Sequence, residues 1–189
     1  MDAIPRSSCF CVDVEWGNSG KIRLICIGAQ QKPVANDSDQ EGTWKVHVLD
    51  LKRLDKFGRA LHFFLSHEFS TKVVYGFDFR EDEKKLKDEG FLCEEGIIRK
   101  QDMRSCLNRF IPEAYTTLKQ NEGYVTKFGL ADILRIACGL KLNKELQTSN
   151  WDADLLEQKQ IEYAALDVYA LVKLVEYFRI ADSPRDEPE

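Results

Sequence analysis

Apolar and polar positions follow two different periods along this chain. Residues 7–16, Ser-Ser-Cys-Phe-Cys-Val-Asp-Val-Glu-Trp, are rich in side chains that suit a pleated surface and predict a first strand. Gly17-Asn18-Ser19-Gly20 is a turn cluster. Lys21 to Gly28 alternates Ile22, Leu24 and Cys26 with Arg23, Ile25 and Ile27, which predicts a second strand. Residues 30–43 form a polar connector with Pro33, Asn36, Asp37 and Gly42, long for a hairpin and expected to be mobile. Trp44 to Leu49 is a third strand. The three suggest an antiparallel meander.

The period then changes. Between Asp50 and Glu68, Leu51, Leu54, Phe57, Leu61 and Phe64/Leu65 share a helical face. Thr71 to Tyr75 is a short apolar strand ended by Gly76, and Glu81 to Glu89 a charged helix holding Leu86 toward the core. Ile97-Ile98 opens another short strand, 103–110 a helix, and 111–126 reads as an irregular loop with Pro112, Asn121 and Gly123. Leu130 to Cys138 is a helix stopped by Gly139, and 141–153 is a linker.

The last helix spans Asp154 to Ile180, with Asp154 and Glu157 as a capping-box-like start. Ile161, Ala165, Val168, Val172 and Val175 recur at core spacing. Tyr163, Asp167, Ala170 and Leu174 form a line flanking that arc, while Lys159, Glu162, Lys173 and Glu176 take a solvated face. Three strands, then strands alternating with helices, then a long helix predict an α/β fold around a mixed sheet.

Composition leaves this picture intact. The chain of 189 residues is 43% hydrophobic and 31% charged, in the range of one globular domain. The longest apolar run, Leu24 to Ala29, is far too short to span a bilayer, and the first residues lack the apolar core of a signal peptide. Six Cys without a Cys-x-x-Cys pair read as reduced, partly buried thiols of an intracellular protein, cytoplasmic or nuclear. The net charge of −5 argues against a nucleic-acid partner at first sight. In residues 181–189, however, four acids face one Arg, and these nine residues read as an acidic, disordered tail after a domain of residues 1–180. A carboxylate-rich metal site would also carry charge that its cations cancel, so the balance excludes no class.

The candidate chemistry lies in three places. Asp13 and Glu15, two apart on a strand, leave the same face, and Val12 and Val14 leave the other. Adjacent carboxylates on a mostly buried strand repel unless a positive charge sits between them. Asp-x-Glu alone is most often a solvated strand face, but here its flanks Phe10, Cys11 and Trp16 are apolar. After the strand ending at Gly76 comes Asp78 or Asp82, the latter with an alternative reading as a simple helix N-cap. On the last helix Tyr163 and Asp167 stand four apart and point the same way.

The order of these three segments resembles the DEDD superfamily of 3′-to-5′ exonucleases, in the subgroup whose last motif carries Tyr. The matching stretches are Val12-Asp13-Val14-Glu15, Val74-Tyr75-Gly76 through Asp82 to Leu86, and Gln160 to Asp167. Lys144 and Ser149-Asn150-Trp151 resemble the family's approach to its last motif. Within the superfamily the chain is most similar to the Nibbler/Mut-seven exonucleases of small-RNA pathways, and next to RNase D and Werner-type exonuclease domains. It departs from the pattern twice. Ala153-Asp154-Leu155 stands where Arg-Pro-Leu is usual, and the Gly76–Asp82 spacing is longer. The second departure leaves Asp78 as runner-up to Asp82 for the third carboxylate.

The resemblance implies a ribonuclease H-like sheet of five or six strands flanked by helices. It implies Asp13, Glu15, Asp82 and Asp167 as ligands of two divalent cations, Mg2+ or Mn2+, with Tyr163 positioning the attacking water. Hard carboxylate oxygens suit these ions, and two of them stabilise both the attacking and the leaving oxygen of a phosphodiester. The implied substrate is the 3′ end of single-stranded RNA, released as 5′-monophosphates, as in trimming of small RNAs. Trp16 and Phe77 are candidates to stack on bases, and Lys84 to follow phosphate. Other domains of a longer chain, or small-RNA pathway proteins, are the expected partners. The rivals are a DNA exonuclease and a silent module that only binds RNA or protein.

Overall fold

The computed structural model describes residues 9–30, 43–54, 58–92, 99–104 and 128–182. Five strands form one sheet: β1 (Cys9–Trp16), β2 (Ile22–Gln30), β3 (Trp44–Asp50), β4 (Val73–Gly76) and β5 (Arg99–Asp102), in the order β3-β2-β1-β4-β5. The first three pair antiparallel, as the alternating runs and the tight turn after Trp16 lead one to expect. β4 joins β1 in parallel, with Phe10 opposite Val74, and β5 adds in parallel to β4. The sheet is therefore mixed, and β1 is its central strand.

Helices cover both faces. On one side, α1 (Gly58–Thr71) and α2 (Arg80–Asp88) pack Leu65 and Leu86 against Phe10, Val12, Val14, Ile25, Ile27 and Val74. On the other, α3 (Leu130–Cys138) and α4 (Gln158–Asp182) pack against Cys11, Leu24 and Cys26, with α4 lying across β1, β2 and β3. Successive β1 side chains thus enter different cores. Asp13 and Glu15 share the Cys11 side, which faces α4.

Two helix starts differ from the expected ones, each because a polar side chain is used elsewhere. The helix expected from Asp50 is a short 3-10 turn, Leu51–Arg53, and α1 starts only at Gly58. Asp50 accepts from Lys52 N at 3.1 Å and takes a two-point contact from buried Arg23, at 2.9 and 3.1 Å. Asp154 does not cap the last helix either. Its carboxylate pairs with Lys52, and Arg23 donates to the carbonyls of Ala153 and Asp154. Helix α4 starts at Gln158 instead, where Gln160 Oε1 accepts from Glu157 N at 2.8 Å and the Glu157 carbonyl takes the first helical hydrogen bonds. Nor is Asp82 an N-cap: it lies in the first turn of α2, behind Phe79.

The faces of α4 are also redistributed. Tyr163, Ala164, Asp167, Val168, Leu171, Val172, Leu174, Val175 and Phe178 are buried, whereas Ile161 and Ala165 sit at the margin. The Tyr163–Asp167 line is therefore inside the packed face, not beside it. Gly139 stops α3 as read, at φ 69° with its N–H on the Arg135 carbonyl. The connector 31–42, Ile97-Ile98, the loop 111–126 and the tail 183–189 lie outside the described residues, as does most of the helix expected at 103–110, of which Met103 and Arg104 are seen.

Candidate active site

The site forms where the central strand meets the buried face of the last helix. β1 contributes Asp13 and Glu15, opposite Cys26 and Leu24 on β2. α4 contributes Tyr163 and Asp167, one turn apart. Asp13, Glu15 and Asp167 each offer one carboxylate oxygen, and these oxygens all lie within 4.8 Å of one another. Asp82 stands outside this tight group but is buried and lines the same cleft, which has a volume of about 630 Å³. Asp78, the alternative third carboxylate, is exposed at the cleft edge. It is held at a positive φ of 52°, with its N–H on Asp102 Oδ1 at 3.2 Å and its carboxylate on Arg104 Nη1 at 3.2 Å.

The electrostatics are those of a crowded anionic pocket. Burial, then Asp167, pushes Asp13 up to about 7, with Lys144 pulling the other way. Burial, then Asp13 and Asp167, pushes Glu15 up to about 9. Asp82 rises to about 8 through burial, then Asp13, Asp78 and Glu81. Burial, then Asp167, also drives the Tyr163 phenol well above its ordinary range. It is therefore a neutral hydroxyl at any physiological pH. Cys26, beneath the acids, is pushed up by burial and by the same carboxylates.

The residues present fit a divalent cation. Asp167 Oδ1 is buried with no hydrogen-bond partner, a costly state for a carboxylate oxygen and one that a cation would relieve. The donors are hard oxygens from separate chain segments, the kind Mg2+, Mn2+ or Ca2+ takes.

Of the candidates for substrate contact, Trp16 and Phe77 line the cleft and Lys84 does not. Lys85 Nζ lies 4.7 Å from the Trp16 ring centroid and donates to the Gly20 carbonyl at 2.8 Å. Arg104 Cζ lies 4.8 Å from the Phe77 ring. Lys84 is exposed and pairs with Asp88 at 3.7 Å, one helical turn on.

Sequence reasoning gave Lys144 no role, and its reach is the main addition. Its Nζ donates to Asp167 Oδ2 at 2.7 Å and to Tyr163 OH at 3.3 Å. Gln147 and Thr148 line the cleft as well, and with Trp16 they also border an adjoining hollow of about 410 Å³. Their segment is bolted down: Gln160 Nε2 donates to Ser149 Oγ and to the Asn150 carbonyl, and Trp151 Nε1 to the Gln147 carbonyl. The only sequence signal for this was the likeness of the Lys144 to Trp151 stretch to the approach of a known motif.

Fold and acidic cleft together describe a nuclease domain, and residues 2–180 match the family described as 3′-5′ exonuclease, to which the chain belongs. A segment of 46 residues is 48% identical to Exonuclease mut-7 of Caenorhabditis elegans, covering 24% of this chain and 5% of that protein. A segment of 45 residues is 42% identical to the mut-7 homolog of Aedes aegypti, covering 24% of this chain and 6% of that one. The chain thus spans only a small part of these relatives.

Among solved structures, the Aedes aegypti Nibbler EXO domain superposes with a TM-score of 0.63 at 17% identity, over 94% of this chain and 80% of that one. Trypanosoma brucei RNase D in complex with RNA U12 superposes with a TM-score of 0.61 at 20% identity, over 96% and 58%. At such identities the likeness establishes the ribonuclease H-like exonuclease fold.

Proposed function

We propose that this domain is a metal-dependent 3′-to-5′ exoribonuclease that removes 5′-monophosphates from single-stranded RNA 3′ ends. The observation that carries the reading is the meeting of Asp13, Glu15 and Asp167 oxygens within 4.8 Å, one helical turn from Tyr163. Asp13, Glu15 and Asp167, with Asp82 farther out, would hold two divalent ions, Mg2+ or Mn2+. When bound, such ions acidify water and neutralise charge on the attacking and leaving oxygens.

The chain's own residues do the rest. Tyr163 stays protonated, so its hydroxyl orients a water and does not remove its proton. Trp16 and Phe77 offer ring surfaces at the cleft for unstacked bases, which suits a single strand. RNA as substrate is supported by the RNA U12 bound to the Trypanosoma relative, and by the likeness in fold to Escherichia coli RNase D, an exoribonuclease involved in structured RNA processing. Trimming of small RNAs rests on the short mut-7 and Nibbler likenesses alone. Among the described residues, Cys26 and Cys138 carry thiols that are not in disulfides, consistent with an intracellular setting. No helix among the described residues is long and apolar enough to cross a membrane.

The test is a 5′-labelled RNA and its DNA counterpart, incubated with Mg2+, Mn2+ or EDTA. A metal-dependent ladder shortening from the 3′ end of the RNA, and absent for Glu15→Ala, is expected. Faster loss of the DNA would make this a DNA exonuclease. Intact RNA that remains bound would make it a silent binding module.

A further inference from the structure

The mechanism above gives no task to Lys144, a charged group that lines the cleft. Lys144 Nζ, its side chain mostly buried, is 2.7 Å from Asp167 Oδ2 and 3.3 Å from Tyr163 OH, and sits 5.5 Å from the Tyr163 ring centroid. Its backbone is fixed by a local turn: Gln147 N donates to the Lys144 carbonyl, and Glu145 N to Asn143 Oδ1. The ammonium faces a carboxylate whose other oxygen has no partner.

We propose that Lys144 is the built-in counter-cation of this site: it holds Asp167 and Tyr163 in register when no divalent ion is bound, and an arriving ion must take Asp167 Oδ2 from it. The inference rests on the metal-dependent reading above. A fixed positive charge at hydrogen-bond distance from a ligand oxygen must repel an incoming cation. Lys144 is thus a positioning residue that weakens ion binding while it steadies the ion-free site.

The experiment measures Mn2+ binding calorimetrically, without nucleic acid, for the wild type and for Lys144→Met, which keeps the length and removes the charge. The variant is expected to bind Mn2+ more tightly, on the order of tenfold, and to melt at lower temperature in EDTA. Equal or weaker Mn2+ binding overturns the proposal. Should Lys144→Met fail to fold, wild-type protein labelled with 13C at lysine Cε serves instead, with the Lys144 signal assigned through Lys144→Arg. That signal must move on saturation with Mg2+, and a signal indifferent to Mg2+ overturns the proposal. Binding that ignores Lys144 leaves the nuclease reading standing, whereas no ion binding by either protein overturns both.

Discussion

Gly28 lies directly beneath Val172. A methyl group at Gly28 would come within 2.9 Å of Val172 Cγ2 and 3.1 Å of Val168 Cγ1, both on the helix that carries Tyr163 and Asp167. This contact sets how closely α4 approaches β2, and so the distance from its acids to those of β1.

Gly28→Ala should therefore cost about 1–3 kcal/mol, as overpacked core positions do. Urea unfolding would read this as a lower midpoint with unchanged slope. The RNA-cleavage rate of the folded fraction should drop as well, because α4 must shift or tilt outward. Full activity with lowered stability would mean that the helix yields without moving the site.

The acid cluster gives the ion-free protein a defined pH dependence. Asp13, Glu15 and Asp82, at about 7, 9 and 8, hold protons more tightly when folded than when unfolded. Unfolding above the ordinary carboxylate range therefore releases protons, and this contribution to stability is lost as pH rises toward 9. The melting temperature in EDTA should fall between pH 5.5 and 8.5, and saturating Mg2+ should flatten or reverse that slope. At pH 8.5 Asp13→Asn should raise the melting temperature in EDTA while lowering RNA cleavage at least roughly 100-fold, as loss of metal-held charge stabilisation requires. A melting temperature that climbs with pH in EDTA would contradict the crowding of these carboxylates.

Asp82 and Asp78 should separate cleanly. Asp82→Asn is expected to reduce cleavage by at least roughly tenfold, since it removes charge from the cleft wall. Asp78→Asn should leave cleavage within about twofold and stability within about 0.5 kcal/mol, because Asn tolerates the positive φ and the lost ion pair with Arg104 is largely solvated. The comparison needs only rates at saturating Mn2+. The reverse ranking would transfer the third carboxylate to Asp78.

Trp16 and Lys84 form a second contrast. Trp16→Ala should weaken binding of single-stranded RNA by about 1–3 kcal/mol, the usual worth of one stacked base. Lys84→Ala, a solvated residue paired with Asp88, should change it by less than about 0.5 kcal/mol. Fluorescence anisotropy in EDTA, where no cleavage occurs, reads both. Equal effects would show that Trp16 serves only to pack β1.

Much of the fold could be read because its determinants are local. The alternation around Cys11 and Leu24, the turn at Gly17 to Gly20 and the stop at Gly139 each act within a few residues, and β1, β2 and α3 form where they were expected. The misplaced boundaries were set by distant partners. Arg23 claims Asp50 and the carbonyls of Ala153 and Asp154, and no spacing in the sequence announces that meeting. The carboxylates could be picked out by their residue types, strand spacing and order. The reach of Lys144 could not, because it depends on how a segment without regular structure is fastened to α4 by Gln160.

The acids of this cleft come from both ends of the described chain, β1 near its start and α4 near its close. No shorter stretch holds the cluster. On a ribosome, β1 emerges long before α4, and domains generally fold as units as synthesis proceeds. The unfinished chain therefore holds Asp13 and Glu15 without Asp167, and the carboxylate cluster closes only once α4 has been made.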